Sequence, residues 1–310
     1  MTLIADLTAA LGANHVLTGD DLAKYRHEWT QHYPSNPCAV ARPADTAQVA
    51  ETLRIAARHG VPVVPVSGLT GLVGGAYTDG GLMISVERLN RIREIRADAR
   101  IAIVEAGVVL DRLHEAAEAA NLYFPLWFGA RGSAMIGGVL STNAGGSNVL
   151  RYGSTRALCL GLEVVLSGGR LIRTGTSAPK SAAGYDLTAL FVGAEGTLGL
   201  ITELTLRLHG QPEAVSAASC AFPDLAAAVD CVIATIQTGL PMARIEFLDE
   251  AAVAACNAYS GTALPLAPQL MVEFHGGPTG VQEQSERFGA IAREFGSKGF
   301  AWARAQEDRS

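Results

Sequence analysis

The sequence GARGSAMIGGVLSTNAGG, residues 129–146, combines six glycines with a single charged side chain, that of Arg131. Its two glycine pairs, Gly137-Gly138 and Gly145-Gly146, allow the backbone to approach a bulky neighbour closely. That neighbour is either a helix packed on a sheet or a ligand. Polar side chains accompany the glycines at Ser133, Thr142 and Asn143. Packing alone does not need them, so the segment favours ligand contact.

A second glycine cluster, VSGLTGLVGG at residues 66–75, follows the β-branched run VPVVPV at 61–66. Glycine permits the positive φ angles that line up successive amides around an anion, and Ser67 and Thr70 can add hydroxyl hydrogen bonds. No Lys or Arg lies between Arg58 and Arg88, so a phosphate bound here would be held by backbone N–H groups. The loop has neither the Walker A nor the dinucleotide G-x-G-x-x-G pattern. A set of structural turns is the alternative.

The third cluster, LFVGAEGTLGLIT at 190–202, places Glu195 among three glycines before a predicted strand. It is read either as part of a ligand site or as a turn with an exposed acid.

Periodicity predicts an α+β or α/β arrangement around these clusters. Residues 45–59 form an amphipathic helix with Val49 and Leu53 on one face, ending at Gly60. A second helix is predicted over 110–120, and strands over 61–66, 101–106, 160–166 and 170–174.

The composition changes after Pro212, which predicts a domain boundary. Strands at 215–222, 243–248 and 269–274 alternate with helices at 224–238, 249–259 and 279–295, a pattern typical of a ferredoxin-like split βαβ layer. The chain ends on AWARAQEDRS, where we expect no closing element, so the layer is expected to be cut short.

Composition and charge exclude several classes of protein. With 49% hydrophobic and 17% charged residues the chain is expected to fold, and its 310 residues favour two domains. The net charge of −6 and the lack of a basic cluster argue against nucleic acid as a partner. No apolar run is long enough for a membrane span, and the N-terminus does not resemble a signal peptide. Five scattered cysteines without a C-x-x-C spacing argue against disulfides and zinc, and favour a cytoplasmic location.

In order and spacing, the three clusters resemble the FAD-binding domain of the vanillyl-alcohol oxidase superfamily, also called PCMH-type, and most closely its D-lactate and D-2-hydroxyglutarate dehydrogenase branch. The resemblance runs from Pro37 to Pro212. It includes ARPADTAQVAETLRIAARHGVPVVP at 41–65, IGG-to-NAGG at 136–146, Arg151-Tyr152-Gly153, and Lys180 followed by GYDLTALFVGAEGTLGLIT at 184–202.

The resemblance implies an α+β protein in which a PCMH-type FAD-binding domain of two α/β subdomains precedes a partial ferredoxin-like cap domain. The expected boundaries are 1–34 for an N-terminal helical segment, 35–212 for the FAD-binding domain and 213–310 for the partial substrate or cap domain. Within the cap, the stretch LMVEFHGG is expected to place Glu273 on a central strand.

The resemblance also implies the residues that contact FAD. They are Ser67, Gly68, Leu69, Thr70, Gly71, Gly74, Gly75, Gly132, Ser133, Ile136, Gly137, Gly138, Asn143, Ala144, Gly145, Gly146, Glu195, Gly196, Gly199 and Ile201. A bulky residue at Gly138 or Gly145 is expected to enter the cofactor's space. Members of the family usually have Gly where Ser67 stands and Asn or Gly where Leu69 stands. Members that tether FAD through this loop have His near position 69, so non-covalent FAD is expected here.

The implied activity is oxidation of a small D-2-hydroxy acid, with hydride passing to FAD and electrons to a cytochrome, quinone or flavoprotein. The catalytic residues stay unknown, because the His-rich and Glu-His motifs that supply the base and metal ligands in full-length relatives do not occur here, and no metal site is expected. The histidines are isolated: His15, His27, His32, His59, His114, His209 and His275. His275 is the best candidate base among them. Arg131 and Arg151 are expected to be solvated or to face phosphate.

Three functions stay open from the sequence. The chain is an incomplete D-2-hydroxy-acid dehydrogenase, an oxidase of another alcohol on the same flavin fold, or a non-catalytic FAD-binding fragment. In each case we expect the 310-residue chain to bind FAD without appreciable turnover of D-2-hydroxy acids.

Overall fold

A computed structural model describes residues 2–303 and divides the chain into two compact units. The first comprises Met1–Gly145 and Ser154–Gly210, and the second comprises Gly146–Gly153 together with the chain from Gln211 onward. The α-helices are α1 Leu3–Leu11, α2 Thr46–Arg58, α3 Leu110–Ala119, α4 Ile136–Ser141, α5 Val149–Tyr152, α6 Thr155–Leu158, α7 Leu187–Phe191, α8 Leu225–Gln237, α9 Glu250–Ser260 and α10 Pro278–Glu294.

The strands are β1 Val16–Leu17, β2 Ala39–Ala41, β3 Val63–Val66, β4 Leu82–Ser85, β5 Ile92–Arg96, β6 Ile101–Glu105, β7 Leu122–Tyr123, β8 Cys159–Val165, β9 Leu171–Gly175, β10 Leu200–Arg207, β11 His209–Gly210, β12 Ala214–Ala221, β13 Arg244–Leu248, β14 Gln269–Gly276 and β15 Lys298–Ala303. The predicted mixture of helices and strands in an α+β fold is confirmed.

The predicted helix at 45–59 is confirmed as α2. Asp45 begins it, because its side chain accepts the backbone N–H of Gln48 at 2.8 Å and so caps the first turn. Val49 and Leu53 are buried, in one core with Leu7 of α1. The first helix therefore packs with the rest of the first unit.

A four-stranded sheet in the order β1-β2-β4-β3 positions the glycine loop at 66–75. Strands β2, β4 and β3 are parallel, and the loop starts where β3 ends at Val66. The loop thus leaves the carboxyl edge of a parallel sheet, a common place for a ligand site.

The second sheet of the first unit is antiparallel, in the order β5-β6-β10-β8-β9. The predicted strands at 101–106, 160–166 and 170–174 are confirmed as β6, β8 and β9. Strand β10 lies in the centre and immediately follows the third glycine cluster. Strand β5, IREIR, was not predicted because arginine and glutamate on its exposed face interrupt the apolar alternation.

The second unit contains the predicted split βαβ layer. Its sheet has the order β13-β14-β12-β15, and β12 and β13 both run antiparallel to β14 between them. The core under this sheet includes Phe274 and Phe288, whose ring centroids lie 5.9 Å apart.

The expectation that the chain lacks a closing element was wrong at residues 298–303, which form β15 and pair with β12. Gly296, with φ 76°, ends α10 and turns the chain into this strand. The rest of the charged terminus, residues 304–310, lies outside the described residues. Within the described part of the chain, no helix has the length and apolar character needed to cross a membrane.

Candidate functional site

The first unit contains a cavity of about 520 Å³ in which all three glycine clusters meet. Residues Val66–Gly71, Gly138, Ala144-Gly145 and Glu195-Gly196 contribute to its walls. The volume is in the range of about 300–1,000 Å³ that is usual for small-molecule sites. The sequence therefore identified the segments that surround the main candidate site.

The glycine loop presents an unusual run of unused backbone donors to this cavity. Within residues 2–303, no backbone N–H from Gly68 to Ala76 donates a hydrogen bond. The lining includes no Lys or Arg, and its ionisable side chains are Glu28 and Glu195. Since backbone amides need partners, this loop is suited to an anionic group such as a pyrophosphate.

Leu69 adopts a left-handed conformation, with φ 54°, in the middle of this loop. Such a φ is unfavourable for leucine, and it explains why Asn or Gly fits the same position well. The Leu69 side chain packs against a small core that includes Val66 and Met83. This apolar contact offsets the strain and keeps the loop in place.

The third cluster is fixed against the second by backbone hydrogen bonds. The N–H of Glu195 donates to the carbonyl of Ser141 at 2.8 Å, and that of Gly193 to the carbonyl of Leu140 at 3.0 Å. Glu195 itself has φ 52° and an exposed side chain on the cavity wall. Both clusters therefore form one continuous wall.

Arg131 does not line the cavity. Its guanidinium pairs with Asp111 at 3.0 Å and lies 4.2 Å from the ring centroid of Trp127. On the other side Trp127 stacks with His114, at a centroid distance of 5.3 Å, and burial lowers the pKa of that imidazole. These side chains brace the neighbouring residues Phe128 and Ala130, which do line the cavity.

The predicted FAD contacts divide into two groups. Those that line the cavity are Ser67, Gly68, Leu69, Thr70, Gly71, Gly75, Gly138, Ala144, Gly145, Glu195 and Gly196. Those that lie outside its lining are Gly74, Gly132, Ser133, Ile136, Gly137, Asn143, Gly146, Gly199 and Ile201. Ile136 and Ile201 belong to the core, and Gly146 belongs to the second unit.

Several of these glycines are required by protein packing. A Cβ at Gly68 would overlap the carbonyl oxygen of Ser133. A Cβ at Gly137 would lie only 2.6 Å from the Cβ of Ala106. At Gly138 the nearest obstacle is Cβ of Ser67, at 2.9 Å, rather than open cavity. By contrast, a Cβ at Gly71 would find no heavy atom within 4 Å.

The structure adds cavity residues beyond the predicted FAD contacts. They are Glu28, Pro65, Val66, Leu72, Val73, Ala76, Phe128, Ala130, Ala134, Met135, Val139, Ser141 and Thr142. Most are apolar and supply walls for a flat ring system, whereas the loop amides suit phosphate. The residues present therefore fit FAD. A helical spacing of the apolar residues around Gly138 is the one sequence signal that could have identified Met135 and Val139 as cavity residues.

The second unit contains a separate polar network. The hydroxyl of Tyr152 lies 2.7 Å from Nδ1 of His275, and Nε2 of His275 lies 2.6 Å from the Glu273 carboxylate. A carboxylate only accepts hydrogen bonds, so Nε2 of His275 donates to Glu273, and Nδ1 faces the Tyr152 hydroxyl. Arg244 lies 3.9 Å from the same carboxylate. With both ring nitrogens engaged and only 3% of its surface exposed, His275 is not a free base.

Arg151 also lies in the second unit. Its guanidinium donates to the carbonyl of Pro241 at 3.0 Å. The side chain is otherwise exposed, as expected for a solvated arginine.

Comparison with known families divides the chain in a similar way. The profile of the FAD binding domain family matches residues 37–175, and that of the C-terminal domain of FAD linked oxidases matches residues 211–310.

The chain is similar to three curated relatives. It is 38% identical over 278 residues to the probable mitochondrial D-lactate dehydrogenase of Danio rerio, covering 88% of this chain and 56% of that protein. It is 37% identical to the mitochondrial D-lactate dehydrogenase [cytochrome] of Arabidopsis thaliana, over 98% of this chain and 54% of that protein. It is 39% identical to D-2-hydroxyglutarate dehydrogenase of Xanthomonas citri pv. viticola, over 75% of this chain and 49% of that protein. The chain thus spans about half the length of these relatives.

Two solved structures share the fold. Alkyldihydroxyacetonephosphate synthase superposes with a TM-score of 0.81 at 17% identity, over 96% of this chain and 60% of that one. p-Cresol methylhydroxylase superposes with a TM-score of 0.71 at 18% identity, over 98% of this chain and 66% of that one. With FAD as its cofactor, the chain belongs to the FAD-linked oxidases that combine these two domains, and it is similar to D-lactate and D-2-hydroxyglutarate dehydrogenases.

Proposed function

We propose that this chain is the flavin-binding part of a cytoplasmic dehydrogenase that oxidises a small D-2-hydroxy acid, of the D-lactate kind, to the 2-oxo acid. The observation that carries the proposal is the 38% identity to a probable D-lactate dehydrogenase over 88% of the chain. The cavity in the first unit supports it, because its unused amides and apolar walls suit FAD. Since the relatives are about twice as long, the activity is proposed for the whole protein.

In this proposal the bound flavin supplies the hydride acceptor. The chain's own residues bind and orient it: the Gly68–Ala76 amides hold the anionic portion, and Phe128, Met135 and Val139 exclude water from the apolar portion. The electrons leave to a cytochrome, quinone or flavoprotein, in keeping with the name of the Arabidopsis relative.

The test uses the protein purified from its native source, so that whatever accompanies this chain is present. Anaerobic D-lactate or D-2-hydroxyglutarate should bleach the visible flavin absorbance, and L-lactate should not. Re-oxidation should be fast with a cytochrome or quinone and slow with oxygen. Absence of bleaching by both D acids, or stoichiometric peroxide formation in air, would contradict the proposal.

We expect the isolated 310-residue chain to bind FAD without rapid bleaching. Among residues 2–303, no three His, Cys, Asp or Glu side chains are grouped to hold a metal ion, and His275 is already engaged at both nitrogens. General-base assistance is worth about 10²–10⁴ in rate, so its loss should be visible in stopped-flow mixing with D-lactate. Rapid bleaching would show that residues 1–310 contain the base.

The flavin should be bound non-covalently. The residues that line the cavity in the described structure include no His, Cys or Tyr, which are the side chains suited to a covalent flavin bond. Acid precipitation should therefore leave yellow flavin in the supernatant. Flavin that stays with the precipitated polypeptide would contradict this expectation.

A further inference from the structure

The loop Glu28–Tyr33 precedes the region matched by the FAD binding domain family, yet its first residue lines the cavity. Nothing in the glycine pattern of the sequence pointed to this loop. Its position depends on a single carboxylate.

The Glu28 carboxylate is 8% exposed and organises the backbone around itself. It accepts hydrogen bonds from the N–H groups of His32, at 2.8 Å, and Tyr33, at 3.3 Å. It also accepts from both the N–H and the hydroxyl of Thr30. Burial alone would raise the pKa of the Glu28 carboxyl, but these hydrogen bonds outweigh it and hold the pKa below its usual range. The carboxylate is therefore occupied in shaping the loop.

The loop is closed at its base and joined to the residues beyond the glycine cluster. The N–H of Ser35 donates to the carbonyl of Arg26 at 2.7 Å. The hydroxyl of Ser35 donates to the carbonyl of Thr78 at 2.9 Å. The base of the loop is thus tied to the chain that follows the glycine cluster.

The far end of the loop supports the glycine loop directly. The Tyr33 ring lies so close to Gly74 that a Cβ at Gly74 would be 2.9 Å from Cδ1 of the ring. Gly74 has φ 73°, which any other residue would adopt only with strain. This contact explains why Gly74 is a glycine even though it does not line the cavity.

From these contacts we propose that Glu28–Tyr33 is a fourth FAD-binding element, with Glu28 as the positioning residue that holds it and Tyr33 as the support of the glycine loop. The loop acts on FAD by contributing Glu28 to the cavity wall and by fixing the conformation of the Gly68–Ala76 segment, whose backbone N–H groups have no partner among the described residues. Preformed binding surfaces gain affinity because less ordering remains at the moment of binding. The proposal depends on FAD binding alone and is independent of the acid that the protein oxidises.

The first test compares Glu28→Gln with Glu87→Gln in the full chain. Glutamine keeps the shape of Glu28, but whichever way its amide is turned, the NH₂ group faces a backbone N–H. Glu87 is the matched control. Its carboxylate accepts hydrogen bonds from Nζ of Lys24 at 2.9 Å and from the Tyr25 hydroxyl at 3.1 Å, and it does not line the cavity. We expect the Kd for FAD, titrated by flavin fluorescence, to rise about tenfold in E28Q and less than twofold in E87Q.

Three results would overturn the proposal: an unchanged Kd in E28Q, a tighter Kd from removal of negative charge, or an equal weakening in E87Q. Thermal unfolding of both apo-proteins shows whether either variant has lost its fold.

A second pair of variants keeps the proposal testable if E28Q fails to fold. Tyr33→Phe retains the ring that contacts Gly74, whereas Tyr33→Ala removes it. We expect Y33F to bind FAD like the wild type and Y33A to bind it several-fold more weakly, with equal melting temperatures of the apo-proteins because Tyr33 is 41% exposed. Equal FAD affinity of Y33A and wild type would show that the loop does not support the site.

Discussion

The cavity of the first unit and the polar network of the second unit are built in opposite ways. The cavity offers consecutive backbone amides from one loop, with glycines where neighbours are close. The network joins the side chains of Glu273 and His275 on one strand to those of Tyr152 and Arg244 from distant parts of the sequence. A site built from backbone should be sensitive to any added Cβ, and one built from side chains to the loss of a single polar group. This difference can be tested at both places.

The largest effect should come from Gly68→Val. A side chain here collides with the backbone of Ser133, and overpacking of this kind costs about 1–3 kcal/mol or more, since a backbone cannot rotate away. FAD should be lost on gel filtration, and the apo-protein should unfold at lower urea concentration.

Gly71→Ala is the matched variant, because its Cβ meets open space. We expect its free energy of unfolding to stay within about 0.5 kcal/mol of wild type. Its FAD affinity should nevertheless fall, since Gly71 is part of the cavity lining. If both variants lose the same free energy of unfolding, the space around each glycine does not determine the cost of adding a side chain there.

This distinction also marks the limit of what the sequence could predict. The clusters were visible because glycine, unlike other residues, is costly in regular structure and therefore informative. Their roles were not visible, because the role of Gly74 depends on Tyr33 and that of Gly137 on Ala106, which are far away in the chain. Glu28 was hidden for a different reason: its partners lie close by in the chain, but they are mainly backbone N–H groups, which have no sequence signature.

In the second unit, the sequence predicted the helices and strands well but did not predict which side chains contact each other. A strand was expected at 269–274 from the alternation of strands and helices after Pro212, and Glu273 was expected on it from the family resemblance. That Tyr152 would meet His275 could not be read from the sequence, since the two are 123 residues apart and the connection depends on Gly146–Gly153 belonging to the second unit.

A smaller effect is expected from His275→Ala in the network. Removing the imidazole leaves the Glu273 carboxylate, whose side chain is 12% exposed, without one of its donors, and an unsatisfied group in such a site costs about 1–3 kcal/mol. We expect the unfolding free energy of the chain to fall by about 2 kcal/mol in urea titrations. Tyr259→Ala, at a side chain that is 95% exposed, is the control and should have no measurable effect.

The comparison predicts that His275→Ala leaves the FAD affinity unchanged, because the cavity lining includes none of the network residues. A weakened FAD affinity at unchanged stability would instead connect the two regions.

The smallest effect tests whether repulsion between neighbouring carboxylates lowers the stability of the first unit. Glu203 lies directly opposite Glu105 on one side and Glu163 on the other in the antiparallel sheet. Burial, followed by the charge of Glu163, raises the pKa of Glu203 above its usual 4.5, despite Arg93 at 3.6 Å. A raised carboxyl pKa means that the ionised form is disfavoured in the folded chain, so ionised Glu203 destabilises the fold at neutral pH.

Glu203→Gln should therefore increase the free energy of unfolding by about 0.5 kcal/mol at pH 7, the usual size of a cross-strand pair effect. The sign follows from the pKa: the gain is largest above the folded pKa of Glu203, where the wild-type carboxylate is charged. It should shrink as the pH falls towards 4.5, because the wild type then takes up the proton. Glu94 gives the opposite case, since a hydrogen bond from Arg96 lowers its pKa, and Glu94→Gln should not stabilise the chain at any pH. A loss of stability in E203Q at pH 7 would mean that its attraction to Arg93 outweighs the repulsion along the row of glutamates.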